Sequence, residues 1–249
     1  MDELVDDDAI EILLRSPEEI ASRLIIVSSI VRRAALEHDG SEVDDEPEAL
    51  RFDLLAWLQS EGLDSQLTHH ERELLEAKIE TIAPDEVTAA SWQGEAVVAL
   101  GWVHGLVEEM PGYDQPADSS RYIGAVPSPW SSTAAFRSQS IARSEASIAE
   151  ERERAEIWHW RSEVAELLKT ANYYDCTSLL DAVREVAREA NQAGHLAVRD
   201  DDFDVGGRAY HTLRVTERED LGALATVRLQ SLNWVCGFGG DWDAVPLQL

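Results

Sequence analysis

Cysteine is almost missing from this chain. Among 249 residues only Cys176 and Cys236 occur, and they form no C-x-x-C pair. That excludes a zinc or dithiol motif built on cysteine spacing. Basic residues are scarce as well. Lys and Arg number 21 against 49 Asp and Glu, a formal net charge of -28. Phosphate contacts need clustered Lys and Arg, so nucleic acid and anionic membranes are excluded as partners. Long apolar runs are also absent. The longest, LIIVSSIV (24–31) and AVVALGWVHGLV (96–107), are shorter than the roughly 20 residues a membrane span needs. The opening MDELVDDDAI has neither a basic nor an apolar leader region, so a cytoplasmic protein is expected. No G-x-S-x-G, phosphate-loop or dinucleotide-binding glycine pattern is present. GFGG (237–240) precedes an acidic tail rather than a helix, which is the wrong context for cradling a phosphate.

What is present is helix punctuation. With 44% hydrophobic residues the chain can bury a sizeable core. Ser16-Pro17-Glu18-Glu19 supplies an N-cap, a Pro at the first helical position and a Glu three after the cap. A helix is expected from there to about His38. Pro47 opens a second, which Gly62 ends. Thr68 to Glu71 is another capping box, starting a helix to about Ile82. A fourth helix is predicted over Asp85–Glu109 as the centre of the fold, with Gly94, Gly101 and Gly105 on one face. Pro111, Pro116, Pro127 and Pro129 mark a long connection. Beyond it come helices over Ala142–Ala171, over 178–193, and from a capping box at Thr216 and Glu219 to about Cys236. RDDDFDVGGRAYHTL reads as irregular, with room for a short strand. The expectation is an all-α fold: a single globular bundle of about seven helices, with halves 1–109 and 134–249 joined by a Pro-rich loop, 110–133. The tail should fold back through Trp242, with Asp241 and Asp243 left in solvent or in a cap.

Several stretches together resemble the bacterial domain-of-unknown-function family 4272. They are SWQGEAVVALGWVHGL, MPGYDQP, RERAEIWHWR and VRLQSLNWVCGFGGDWDAV. The matching positions are Trp92, Glu95, Ala96, Trp102, Arg161, Leu232, Asn233, Trp234, Trp242, Asp243 and Val245, over roughly residues 68–249. Gly94 departs from the pattern, where the family more often has a larger residue. The resemblance implies an all-helical fold and a bacterial origin, and brings no catalytic residues or activity.

Candidate sites follow from residue type. Glu156 and His159 form an E-x-x-H with Glu163 one turn on. Di-iron bundles need two such motifs and two further carboxylates, and only one is found, so neither metal nor another cofactor is expected. His69 and His70 belong to a capping box, and His104 to the core. Trp92, Glu95, Trp102, His159, Arg161, Trp234 and Asp243 are the candidates for a ligand or a pocket between the halves. Asp6, Asp7, Asp8, Asp44, Asp45 and Glu46 are the candidates for contact with a partner. The leading expectation is an acidic protein-binding module that engages a basic protein, for example an immunity- or antitoxin-type inhibitor. The alternative is an enzyme or small-molecule binder with its pocket between the helical halves. Oligomeric state stays open.

Overall fold

The computed structural model describes residues 12–37 and 47–248. Ten α-helices and three short strands follow in the order α1 (Pro17–Ala35), α2 (Pro47–Ser60), α3 (His69–Glu76), α4 (Pro84–Trp92), α5 (Gly94–His104), α6 (Ser120–Ile123), α7 (Ala134–Arg137), α8 (Glu145–Thr170), α9 (Tyr173–Ala193), β1 (Val198–Arg199), β2 (Asp202–Val205), β3 (Arg208–Ala209) and α10 (Val215–Val235). The seven expected helices are all there. The fourth is divided in two, and α6 and α7 are extra single turns within and just beyond the Pro-rich connection.

Local chemistry sets the boundaries. Ser16 accepts from the Glu19 N–H while the Glu19 carboxylate takes the Ser16 N–H, and Thr68 and Glu71 do the same for α3. The last helix starts two residues earlier than expected. Glu217, not Glu219, accepts the Arg214 N–H at 2.9 Å, so Thr216 lies inside the first turn. The expected fourth helix breaks at Gln93, and α5 stops at Gly105 rather than running to Glu109. Gly105 takes a left-handed conformation (φ +96°) and returns its N–H to the Gly101 carbonyl. A Cβ at Gly94 would meet Ser119 Oγ at 2.5 Å, so the connection lies directly against the start of α5.

Every residue of α5 is buried, as is nearly all of α1 from Ile20 to Ile30. α1 packs on α5 and α4, and α10 lies along α8 and α5. This seam holds Leu24, Ile25, Val27, Val97, Leu100, Leu224 and Leu232, none of them exposed. Burying a side chain of that size contributes about 1.5–3 kcal/mol.

Around the seam, arginines hold the ends together. Of 21 basic residues only Lys78 and Lys169 are lysine. Arg33 and Arg51 donate to the carbonyls of Ala77 and Leu75, and α3 ends there rather than near Ile82. Arg32 donates to Ile123, Val126 and Pro127. Arg143 caps the carbonyls of Trp102 and Val107. Helix ends leave carbonyls without intrahelical partners, and the planar guanidinium fork can satisfy two or three at once. Arg32 thus buttresses the 110–133 connection over Ile123 to Pro127.

Two tight turns build the small antiparallel sheet. Asp200 and Asp201 (φ +50° and +60°) join the Arg199–Asp202 pair, and Gly206 and Gly207 (φ +57° and +85°) join Val205 to Arg208. Both turns need two positive φ values in a row, which Gly supplies freely and Asp tolerates.

The tail answers the sequence expectation. Trp242 is buried, edge-on to Trp234 at 5.5 Å, with the Arg23 guanidinium 5.2 Å from its ring. Asn233 donates to the Pro246 carbonyl and accepts from Arg152. Asp241 caps the last turn through the Asp243 N–H, and Asp243 is exposed.

Candidate functional site

An open cleft of about 470 Å³ lies where the connection, α8 and the small sheet meet. Its walls are Met110 to Asp114, then Glu151, Arg154 and Trp158 of α8, then His195 to Ala197 after α9, then Asp204, Gly206 and Gly207. The three α8 residues stand at i, i+3 and i+7, so one helix face presents them together. Gly194 ends α9 in a left-handed turn, which delivers His195 to the wall.

Glu151 is the centre of the cleft's chemistry, although only 4% exposed. Its Oε1 accepts the Tyr113 hydroxyl at 3.0 Å and its Oε2 accepts Arg154 Nη1 at 2.5 Å. Burial pushes its carboxyl above the usual 4.5, and the Arg154 charge and the Tyr113 hydrogen bond only partly offset this. The Tyr113 phenol is held well above its ordinary value, by burial first and the Glu151 charge second. Tyr113 stacks on Trp158 at 5.9 Å, and Trp158 meets Phe203 edge-on at 5.1 Å. Beneath Tyr113, the Arg228 guanidinium sits 4.7 Å from its ring. Arg228 donates to the carbonyls of Pro111 and Gly112 and to Glu95, and Glu95 accepts the Ala117 N–H at 2.7 Å. This fully buried pair fixes the connection from Pro111 to Ala117, and so fixes one wall of the cleft. His195 has a side chain 9% exposed, and its Nδ1 has no hydrogen-bond partner among the described residues.

The residues singled out from sequence lie elsewhere and do not converge on one pocket. Trp92 and Glu95 share a shallow hollow of about 360 Å³ with Pro116 and Ser119. Trp102 is capped by Arg143. His159 faces Thr226 of α10, with Nδ1 and Oγ1 3.1 Å apart, and burial lowers its pKa against the smaller pull of Glu163 and Glu156. Arg161 is locked to Asp202 by two bonds of 2.8 Å. Trp234 lies under Arg15 and beside Trp242. Glu156 pairs with Arg152, and Glu163 is exposed. Among the described residues no three His, Cys, Asp or Glu side chains gather as a metal site. The acidic patches Asp6, Asp7, Asp8, Asp44, Asp45 and Glu46 lie outside the described residues. Sequence reasoning missed Tyr113, Glu151, Arg154, Trp158 and His195 as a group. The one signal was the heptad position of Glu151 relative to Trp158 within EERERAEIWHWR.

Fold and site define a mostly helical domain with a small β-hairpin sheet and an open cleft walled by a buried carboxylate. The chain belongs to the family described as Domain of unknown function (DUF4272), whose family model matches residues 4–187. No curated protein and no solved structure matches the chain. The match takes in the N-terminal helices and stops inside α9. The motif-based resemblance, over 68–249, therefore reached the right family with a different extent. Both acidic patches fall inside the matched range, not outside it as that resemblance implied. Among the described residues, no helix is long and apolar enough to cross a membrane.

Proposed function

We infer that this protein is a binding module for a small ligand, held in the cleft between Tyr113, Glu151 and His195. One observation carries the reading: a nearly buried carboxylate with a raised pKa lines a cleft that opens to solvent. A perturbed titratable group in a concave site marks a functional candidate, and about 470 Å³ lies within the range of small-molecule sites. This cleft is a different one from the pocket expected between the halves: its walls come from the connection and the second half alone, with a different Trp, His and Arg. The test uses Ala197→Trp, which fills the cleft from an exposed position. Fragments that raise the melting temperature of the parent should leave this variant unmoved. A ligand at about 100 times its Kd stabilises the folded state by roughly 2.7 kcal/mol, a readily measured shift. A panel whose hits stabilise both proteins equally overturns the reading.

A second reading, an acidic module that engages a basic protein in the manner of an immunity or antitoxin inhibitor, is favoured by the net charge of -28. Its mark is an association rate that falls steeply between about 0.1 M and 1 M salt, as the Debye length shrinks from roughly 10 Å to 3 Å. Reversing Asp6, Asp7, Asp8, Asp44, Asp45 and Glu46 should slow association. Unchanged rates at low salt remove this reading.

A further inference from the structure

We propose that the cleft takes a compact organic cation, a guanidinium or primary ammonium on a short apolar stem, with Glu151 as its main acceptor. The inference rests on the cleft reading above and names the ligand's chemistry.

Acceptors dominate the walls. Glu151, Asp114 and Asp204 line the cleft, and Arg154 is the one arginine among its lining residues. That arginine is already spent, since Nη1 binds Glu151 and Nη2 approaches Glu150. Asp204 is already paired with Arg199 and the Gly207 N–H, but an anion would still have to sit against Glu151 and Asp114 and draw Arg154 away from two carboxylates. A cation meets the opposite field. The Glu151 carboxylate has about four lone-pair sites, and Tyr113 and Arg154 fill two of them. Two therefore remain for a ligand.

His195 points the same way. Its Nε2 lies 3.6 Å from Glu153 Oε2. With the proton on Nε2, directed toward that carboxylate, Nδ1 is left as an acceptor without a donor. A buried acceptor left unsatisfied is costly; Nδ1 is closed off from solvent, so a ligand N–H satisfies it once the ring turns toward the cleft. Met110, Pro111 and Leu196 supply apolar surface for a stem. The backbone of Gly112, Gly206 and Gly207 lies at the rim, where their amides report on occupancy.

The experiment titrates the full chain, labelled with nitrogen-15, with butylguanidinium, with neutral butylurea and with butanoate. Butylguanidinium should shift the amide signals of Gly112, Gly206 and Gly207 at millimolar concentration, and the other two should not. Glu151→Gln should weaken the cation at least about tenfold, which is the loss expected when a desolvated charge pair becomes neutral. Asp114→Asn, at an exposed rim position, should weaken it about twofold to fivefold and serves if Glu151→Gln does not fold. Cleft shifts caused by butylurea or butanoate, with none from butylguanidinium, overturn the cation and leave the cleft standing. Silence from all three removes cation and cleft together. An arginine tripeptide blocked at both ends separates the sources of the cation. Tighter binding than butylguanidinium assigns it to a protein side chain, weaker binding to a free small molecule, and either supports the class.

Discussion

Glu151 and Asp202 are both buried carboxylates held by arginines of α8, and they behave in opposite ways. Arg161, which holds Asp202, lies ten residues along α8 from Glu151, roughly 15 Å at the helical rise. Asp202 is saturated. Its oxygens accept Arg161 Nε and Nη2, the Phe203 N–H and the His211 N–H, with His211 Nδ1 a further 3.0 Å neighbour. Burial alone would raise its pKa, but the Arg161 bonds and charge and the Phe203 N–H hold it below 3.8. Glu151 has only two donors, and burial wins. A saturated carboxylate has nothing left to offer and holds the fold together. An unsaturated one beside open space is free to bind. Both belong to an arginine pair, so it is the count of donors that separates the carboxylate that holds the fold from the one proposed to bind a ligand.

The strongest way to break this comparison is to delete each acid. Asp202→Ala leaves Arg161 buried without its counter-charge and should cost about 3–5 kcal/mol. Glu151→Gln keeps the shape and removes a poorly solvated charge, so its stability should stay within about 1 kcal/mol of the parent. Urea unfolding of both variants decides the matter. Equal losses would mean that Glu151 is structural too. Trp242→Ala sets the scale from a third place, because that ring is buried outside both clusters. It should cost about 3–5 kcal/mol, and an unchanged melting temperature would mean the tail does not clamp the bundle.

A smaller effect sharpens the comparison through pH. Stability rises with pH wherever the unfolded chain binds more protons than the folded one. Asp202 is lowered on folding, so its contribution is present above 3.8 and is lost as pH falls through its folded value. Glu151 is raised, so its contribution is present below 4.5 and is lost as pH rises through its folded value. The stability of Glu151→Gln relative to the parent should therefore climb as pH rises above 4.5. Urea midpoints between pH 3 and 7 measure this. A flat difference would mean that burial does not govern Glu151.

The fold was legible where one local signal decided the outcome. Ser16 with Glu19, and Thr68 with Glu71, announce their helices through reciprocal caps. Trp242 announces its burial by size. The break at Gln93 was hidden because no proline marks it and helix resumes at once at Gly94; the connection packed against Gly94 is a tertiary contact that the local sequence does not announce. Arg161 stood out between Trp160 and Ser162, yet nothing in RDDDFDV says which aspartate it will meet. The cleft was the least legible part. Its walls come from four separate segments, and Glu95 reaches it only through Arg228, 133 residues away. Periodicity reports which face of a helix is buried. It does not report which hydrogen bonds bring distant segments together.

The smallest expected effect concerns the turn that sets Asp202 in place. Asp200 and Asp201 both hold left-handed conformations between β1 and β2, at φ +50° and +60°. The next turn along has the same two-residue form with Gly206 and Gly207. L-residues other than Gly, Asn and Asp avoid this region because Cβ crowds the following carbonyl, and even Asp retains part of the penalty. Asp201 is exposed. Asp201→Gly therefore removes strain without removing a buried contact, though it also gives the unfolded chain more freedom. The net should be a gain of about 0.5 kcal/mol and no more than about 1 kcal/mol. Applied to Gly206, the reverse exchange to Ala should lose a similar amount. If Asp201→Gly destabilises instead, the Asp200–Asp201 turn is held by its side chains, and the register of Asp202 against Arg161 depends on them as well as on the backbone.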